Sequence, residues 1–287
     1  MRNVLPILTV IAAIVALWYA LAVTLNAPWA YSKAKRADVT LSFSEMVSDT
    51  MAQEKPRLPA PHQVATEIWE TTAQKKITSK RSLIYHGWIT LRATLLGFAF
   101  GTALGIALAV SIVYFKVMDM SVMPWIIASQ TVPILAIAPM IVVVLAALQV
   151  NDIVAKGVIS MYLSFFPVVV GMVKGLRSPD AMLLDQMKTY SASASQTFWK
   201  LRLPTSTPYL FASLKVAVAA SLIGAVVAEL SLSQNGGLGA RLLAGSYYGQ
   251  TIQIWSALLA AATLAALMVI TLGALEKLTL KRMGMAQ

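Results

Sequence analysis

Long apolar stretches dominate this chain and limit the folds that it can adopt. Residues 4–25 contain no charged side chain. At a rise of about 1.5 Å per residue, such a helix is roughly 33 Å long and can cross the hydrocarbon core of a bilayer. Only 12% of all residues are charged, whereas soluble domains carry about 25%. We therefore interpret the chain as an integral membrane protein.

The first apolar stretch has a second interpretation. Ala20-Leu21-Ala22 resembles a signal-peptidase cleavage site. The stretch is long for the hydrophobic part of a signal peptide, which favours a retained anchor. Trp18 and Tyr19 suit a membrane interface.

Five further apolar stretches predict a total of six transmembrane helices and an all-α membrane fold. They cover residues 90–114, 122–150, 153–173, 209–232 and 253–275. In the second, Gly97, Gly101 and Gly105 recur every four residues, so they share one helix face and allow another helix to approach closely. Between residues 26 and 85 the chain is polar. There, residues 61–74 have the spacing of an amphipathic helix, either at the membrane surface or fully solvated.

Prolines interrupt the third stretch at Pro124, Pro133 and Pro139. Each proline removes one helical hydrogen bond, and inside a membrane the freed carbonyl needs a partner or a water-filled cavity. Because Gln130 and Thr131 directly precede Pro133, we expect either a broken helix that lines a pathway or an ordinary kink. The glycine-rich segment 233–251 is expected to form a flexible or re-entrant loop.

The distribution of basic residues predicts the orientation. Six spans place both termini on one side, together with Arg2, Lys116, the four bases of residues 176–208, and the C-terminal Lys277, Lys281 and Arg282. The opposite short loops hold only Lys156 and Arg241. The first side is therefore expected to be cytoplasmic. The loop 26–85 is also basic, but long loops cross largely regardless of charge.

Several catalytic chemistries lack their sequence signatures. The chain has no cysteine, no nucleotide-binding P-loop motif and only two histidines, His62 and His86, which lack the spacing of metal ligands. Glu229 is the clearest carboxylate inside a span, where it could act as a gate contact or proton site, or make a structural hydrogen bond. Lys215 is expected to extend toward the interface.

A polar island, residues 176–208, separates the fourth and fifth spans. Residues 183–196 can form a short helix with Leu184, Met187 and Ser191 near one face. Small residues at 191–195 allow close surface contact. This pattern fits a helix that docks into a groove of a partner protein, although a solvated loop would look similar.

Within the island, the sequence resembles the inner-membrane permeases of bacterial ATP-binding-cassette (ABC) importers. Those proteins carry a cytoplasmic pattern of E-A-A, three residues, G, nine residues and I-x-L-P. Aligned on Leu203-Pro204, the pattern places Asp185 at the acidic position and Ser191 at the glycine, while Gln186 and Met187 replace the two alanines. The resemblance extends over residues 56–280. Within the family, the sequence resembles the nitrate, sulfonate and taurine branch. Its other matches are LPAP at 58–61, PILAIAP at 133–139, IGAVVAE at 223–229 and GGLG at 236–239.

The resemblance implies a six-helix type I (MetI-like) permease subunit rather than an enzyme. It implies two permeases, two copies of an ABC ATPase subunit that holds ATP and Mg, and a periplasmic substrate-binding protein. No cofactor on this chain and no nucleic acid partner are expected. A homodimer is the expected assembly, and the degenerate motif leaves a heterodimer open. The residues expected to couple to the ATPase are Leu184, Asp185, Gln186, Met187, Lys188, Ser191, Ala192 and Pro204. Those expected along the translocation pathway are Gln130, Thr131, Pro133, Tyr162 and Glu229.

The expected layout is a multi-pass protein of the bacterial inner membrane, in contact with lipid and with both termini in the cytoplasm. It comprises an anchor (1–25), a periplasmic loop (26–85), a permease core (86–280) containing the coupling loop (174–206), and a tail (281–287). Two other functions are considered: an ion-coupled carrier, which would need internal repeats and buried ionisable groups, and a membrane scaffold.

Overall fold

The computed structural model describes residues 4–232 and 235–285, and within these ranges it contains helices and no strand. Arg2, Ser233 and Gln234 lie outside the described residues, as do the last two residues of the predicted tail. The helices are α1 (Val4–Arg36), α2 (Phe43–Ala52), α3 (Pro61–Trp69), α4 (Leu83–Tyr114), α5 (Lys116–Ser129), α6 (Ile134–Ala147), α7 (Asp152–Leu176), α8 (Ala181–Thr189), α9 (Ala194–Thr197), α10 (Leu203–Ser231), α11 (Leu238–Tyr248) and α12 (Thr251–Arg282).

The number of membrane-spanning helices agrees with the sequence prediction. Five helical segments of the described chain are long and apolar enough to cross a membrane, and the total reaches the predicted six if the bent pair α5–α6 counts as one span. The all-α membrane fold is therefore confirmed. The chain divides into two compact units, one of Met1–His86 and Ala240–Ala260 and the other of Gly87–Gly239 and Ala261–Gln287.

In the first unit, α1 continues well past the end of its apolar stretch at residue 25 and ends at Arg36. Asn26 lies in this extension, and its side chain anchors the segment before α3. The Asn26 carboxamide accepts from the Arg57 backbone N–H at 2.7 Å and donates to the Leu58 carbonyl at 2.8 Å. Trp18 donates to the Pro59 carbonyl at 2.9 Å. These contacts fix the LPAP segment against α1.

The amphipathic pattern at 61–74 does form a helix, namely α3 followed by a π-helical turn at Glu70–Gln74. Val64 is buried on one side, whereas Trp69 on the other is 64% exposed. Pro61 occupies the first turn, where its missing N–H is not needed. The predicted two-sided character of this helix is therefore present.

The glycine-rich segment is not simply a loop, since most of it forms α11. Arg241 was counted as a loop charge, but it is a helix residue with an 8% exposed side chain that pairs with Glu67 at 2.9 Å. The Arg241 guanidinium also donates to the Arg81 carbonyl at 2.8 Å. Burial lowers the pKa of Arg241, and the Glu67 carboxylate opposes that shift. This buried pair gives the helix a polar anchor that hydropathy alone does not predict.

In the second unit, the three glycines of α4 lie against α7 as the sequence predicted. A methyl group at Gly97, Gly101 or Gly105 would collide with Ser160, Ser164 or Val168, respectively. Both sets of residues advance by four, so one face of each helix runs along the other. The Ser164 hydroxyl donates to the Gly97 carbonyl at 3.2 Å. Small residues thus allow the two spans to pack closely in the membrane.

The third predicted span is broken, as its prolines indicated, but it is more than a kink. α5 and α6 meet at an angle of 101° across residues 130–133. Pro133 forms the N-cap of α6, whereas Pro124 and Pro139 remain inside helices. Because proline offers no N–H to the preceding turn, α5 cannot continue through Pro133. A single continuous crossing over 122–150 is therefore replaced by two short helices.

Candidate functional site

The polar island contains two helices where the sequence predicted one. α8 ends at Thr189, and Ser191 adopts a left-handed backbone conformation with a φ of 52°. The predicted helix over 183–196 is wrong at this point, because a left-handed residue ends an α-helix. Consequently Ser191 does not extend the face formed by Leu184 and Met187.

The end of α8 has the hydrogen bonds of a Schellman motif. The Ala192 N–H donates to the Met187 carbonyl at 3.0 Å, and the Ser191 N–H donates to the Lys188 carbonyl at 2.8 Å. Glycine is the residue that adopts a left-handed conformation without steric cost. The structure thus explains why a glycine in this position of the motif would be favourable, and Ser191 keeps the turn at some cost.

α8 and α9 contain no buried residue. Met182 is 81% exposed and Tyr190 is 72% exposed. Leu184 and Met187 are half-buried, whereas Asp185, Gln186 and Lys188 are exposed. An exposed helix with both apolar and charged side chains offers a surface that another protein can cover.

Although it is exposed, the island is firmly attached to the ends of the spans around it. Arg202 donates to the Leu176 carbonyl at 2.7 Å, which joins the start of α10 to the end of α7. Arg177 forms an ion pair with Asp119 of α5 at 2.9 Å. Pro204 lies in the first turn of α10. These contacts join the ends of the island to α5, α7 and α10.

The predicted pathway residues around the helix break lie together. The Tyr162 hydroxyl of α7 donates to the Ser129 carbonyl, the last residue of α5. Gln130 caps α5 and reaches the Ser129 hydroxyl at 3.4 Å. Thr131 and Pro133 are exposed in the single chain. Tyr162 thus satisfies a carbonyl freed by the break.

Glu229 lies elsewhere, in a buried polar cluster at the far end of α10. Its side chain is fully buried and accepts from the Thr90 hydroxyl at 2.9 Å and from the Gly239 N–H at 2.9 Å. The Leu238 N–H donates to the Thr90 oxygen at 2.9 Å. Gly237 has a φ of 120°, and a side chain there would overlap the Glu229 carboxylate. Glu229 therefore ties α4 and α10 to the turn at 237–239.

Lys156 belongs to the same cluster, although the sequence placed it in a short loop. It lies within α7, is 2% exposed, and donates to the Gly236 carbonyl at 3.1 Å. A cavity of about 560 Å³ opens beside it, with Arg92 and Asp152 among its lining residues. No hydrogen bond or ion pair to Arg92 occurs within residues 4–232 and 235–285.

Sequence reasoning also missed an ion pair between two spans. Lys215 of α10 contacts Glu276 of α12 rather than extending toward the interface. Their separation of 61 positions hides the pair from local patterns. Glu276 directly follows the predicted stretch 253–275 and is half-buried, so the apolar pattern gave no sign of a partner for Lys215.

Comparison with known proteins shows that the chain is similar to transport permeases. A family model described as "Binding-protein-dependent transport system inner membrane component" matches residues 101–284. The formylaminopyrimidine transport permease protein ThiX of Halalkalibacterium halodurans is 31% identical over 183 residues, which are 63% of this chain and 68% of that protein. The riboflavin transport system permease protein RibX of Chloroflexus aurantiacus is 26% identical over 224 residues, 78% of this chain and 80% of that protein. The nitrate import permease protein NrtB of Leptolyngbya laminosa is 30% identical over 139 residues, 48% and 46% of the two chains.

The chain belongs to the family of binding-protein-dependent transport system inner membrane components. It is the transmembrane permease subunit of an ABC importer and forms the pathway for a small solute delivered by a binding protein. The resemblance to the branch that includes nitrate permeases is confirmed.

Proposed function

We propose that α8 and the turn after it couple this permease to a separate ATPase subunit. In this proposal the ATPase binds ATP and Mg, and α8 inserts into a groove on its surface. Leu184 and Met187 provide apolar contact, and Asp185, Gln186 and Lys188 provide polar contact. Ser191, Ala192 and Pro204 hold the shape of the segment. The exposed Met182 and Leu183 on the same helix support this role, because a partner protein can cover such an apolar surface.

The proposed transmission of force follows the anchors of the island. ATP binding closes two ATPase subunits, and each moves the α8 that it holds. Arg177 and Arg202 then carry the displacement to α5, α7 and α10. Such rigid attachment supports a two-state alternation between inward-open and outward-open forms.

In the proposed pathway, solute passes the helix break at Gln130, Thr131 and Pro133. The Tyr162 hydroxyl supports the break by donating a hydrogen bond to the Ser129 carbonyl. Glu229 acts at the outer end, where it holds the turn at 237–239 closed against α4 and α10. Two permease chains, as a homodimer or with a different second permease, enclose the pathway between them.

The proposed orientation places both termini, the tail 281–287 and the coupling loop 174–206 in the cytoplasm. The loop 26–85 then faces the periplasm, between the anchor 1–25 and the core 86–280, with lipid around the spans. The solutes in the relatives' names differ in size and charge. We propose that the substrate-binding protein makes most of the choice among solutes, because similar permeases serve different solutes.

The test is purification of the tagged chain from its native membrane in mild detergent, followed by mass spectrometry. The expected result is recovery of a P-loop ATPase, with a second permease present if the assembly is a heterodimer. An importer of known composition is purified in parallel as the control. Recovery of this chain alone, while the control importer stays intact, would contradict the ATPase partnership and favour a carrier or scaffold.

A further inference from the structure

A strongly basic loop precedes the second membrane span. Residues 75–81 read KKITSKR and carry Lys75, Lys76, Lys80 and Arg81, and no acidic residue occurs between positions 71 and 118. All four cations are exposed, and none of them forms an ion pair with any residue in the described ranges. Ile77, between the two pairs of cations, is 64% exposed. The charge of this loop is therefore uncompensated within the chain.

The backbone of this basic loop, residues 75–81, is nevertheless well held. The Ser79 N–H donates to the Lys76 carbonyl at 2.8 Å, and the Ser82 N–H donates to the Ser79 carbonyl at 2.9 Å. A ring nitrogen of His86 lies 2.9 Å from the Lys80 carbonyl. Arg241 donates to the Arg81 carbonyl. These bonds fix the main chain and leave the basic side chains pointing away from it, as a preformed surface requires.

The length of α4 indicates how far this loop lies from the bilayer. The predicted second span, residues 90–114, ends at the last residue of α4. The seven residues of α4 before that span, 83–89, add roughly 10 Å at 1.5 Å per residue. Each headgroup layer is only about 5–8 Å thick. The loop therefore projects beyond the headgroups into water.

From these observations we infer that the basic loop 75–81 docks the importer's soluble solute-binding protein through an acidic patch on that protein. The inference rests on the proposed orientation, which places loop 26–85 in the periplasm. Long loops cross the membrane largely regardless of charge, so the orientation of the chain does not account for these four exposed cations, whereas a binding role would. An acidic protein in the aqueous phase supplies the missing charge, and Ile77 supplies an apolar contact at the centre.

The first experiment uses the full importer in cells, with a photocrosslinking amino acid in place of Ile77. We expect a crosslink to the solute-binding protein that mass spectrometry identifies in the purified importer. A crosslink to phospholipid alone, or none while uptake is normal, would overturn the inference. A crosslink to phospholipid alone would instead indicate that the loop contacts an anionic membrane surface.

The second experiment compares two charge-matched variants in proteoliposomes. Lys75→Glu/Lys76→Glu changes the loop, and Lys35→Glu/Arg36→Glu changes two exposed cations at the end of α1. At low ionic strength, only the loop variant should need about tenfold more solute-binding protein for half-maximal uptake. Added salt should reduce the difference between the variants in the concentration of solute-binding protein needed for half-maximal uptake, because salt screens the charges of the loop. Equal behaviour of both variants would overturn the inference.

The maximal uptake rate separates this inference from the proposed function. At saturating solute-binding protein, the loop variant should transport at the wild-type rate, because Lys75 and Lys76 are exposed and form no ion pair with any described residue. If the wild-type assembly shows no ATP-driven uptake at all, the proposed function fails and the docking inference fails with it. If the wild type transports and the loop variant is unaffected at every concentration, only the docking inference fails.

Discussion

The Thr90 hydroxyl lies 2.9 Å from each carboxylate oxygen of Glu229, although 139 positions separate them. Both side chains are fully buried. Glu229→Ala would leave the Thr90 hydroxyl and the Gly239 N–H without this acceptor. Since a buried unsatisfied group costs about 1–3 kcal/mol, we expect a loss of roughly 2–5 kcal/mol in unfolding free energy. A lower melting temperature of the purified complex in detergent would report this loss of stability.

Glu229→Gln is the matched control for this substitution. It keeps a carbonyl oxygen that can accept one of the two hydrogen bonds, so its destabilisation should be clearly smaller. If both substitutions lowered the melting temperature equally, the charge of Glu229 rather than its hydrogen bonds would hold the turn, with Lys156 as the nearby cation.

Gly237 allows the turn beneath Glu229, and a side chain there should be poorly tolerated. Its φ of 120° belongs almost only to glycine, and an added methyl group would overlap the Glu229 carboxylate. We expect Gly237→Ala to lower the unfolding free energy by about 3 kcal/mol or more. Thermal unfolding monitored by size-exclusion chromatography would show this as lost monodisperse protein.

Gly249→Ala provides the comparison, because Gly249 also has a positive φ, 63°, but open space around it. Its cost should be only about 1 kcal/mol. Similar losses for the two variants would mean that backbone strain alone, and not the contact with Glu229, limits position 237.

The left-handed residue after α8 predicts that glycine would fit better than serine. A side chain in this conformation costs about 1–2 kcal/mol, and glycine loses roughly 0.5–1 kcal/mol through its freer unfolded state. Ser191→Gly should therefore stabilise α8 by up to about 1 kcal/mol. Ser191→Val, with a β-branched side chain, should destabilise it. Amide hydrogen exchange in α8 reports the local effect.

Coupling should change in the same order as the stability of this turn. Uptake per ATP hydrolysed is expected to be kept or raised by Ser191→Gly and lowered by Ser191→Val. Unchanged hydrogen exchange in both variants would contradict the assignment of a left-handed helix end at Ser191.

The pair formed by Asp185 and Lys188 should matter for transport and not for folding. The two side chains are 69% and 79% exposed and lie 2.9 Å apart. An exposed pair of this kind contributes about 0–1 kcal/mol. Asp185→Ala/Lys188→Ala should thus leave membrane yield and melting temperature unchanged, while ATP-driven uptake is lost. Normal uptake would exclude these residues from coupling.

Tyr162 offers a test of the helix break. Tyr162→Phe removes the hydroxyl that donates to the Ser129 carbonyl and leaves the ring in place. The loss of one hydrogen bond inside the bundle should cost about 1 kcal/mol and reduce uptake. Tyr114→Phe, at the end of α4, is the matched control for the loss of a tyrosine hydroxyl at another position. Full uptake by Tyr162→Phe would remove Tyr162 from the proposed pathway.

The sequence was sufficient to predict the spans, the glycine face of α4 and the break at Pro133. The spans could be recognised because a helix in a bilayer satisfies its own backbone hydrogen bonds and needs only apolar side chains. The face of Gly97, Gly101 and Gly105 followed from helix periodicity, and the break at Pro133 followed from a missing N–H. Each of these signals lies within a few neighbouring residues.

Tertiary structure alone decided which distant groups meet. Nothing near Glu229 in the sequence indicates Thr90, and nothing near Lys156 indicates the Gly236 carbonyl, 80 positions away. The end of α8 at Ser191 was also missed, since serine carries no local signal for a left-handed conformation. Hydropathy describes how each residue interacts with the bilayer. Buried hydrogen bonds instead depend on which helices become neighbours, and that is determined by the packing of the whole bundle.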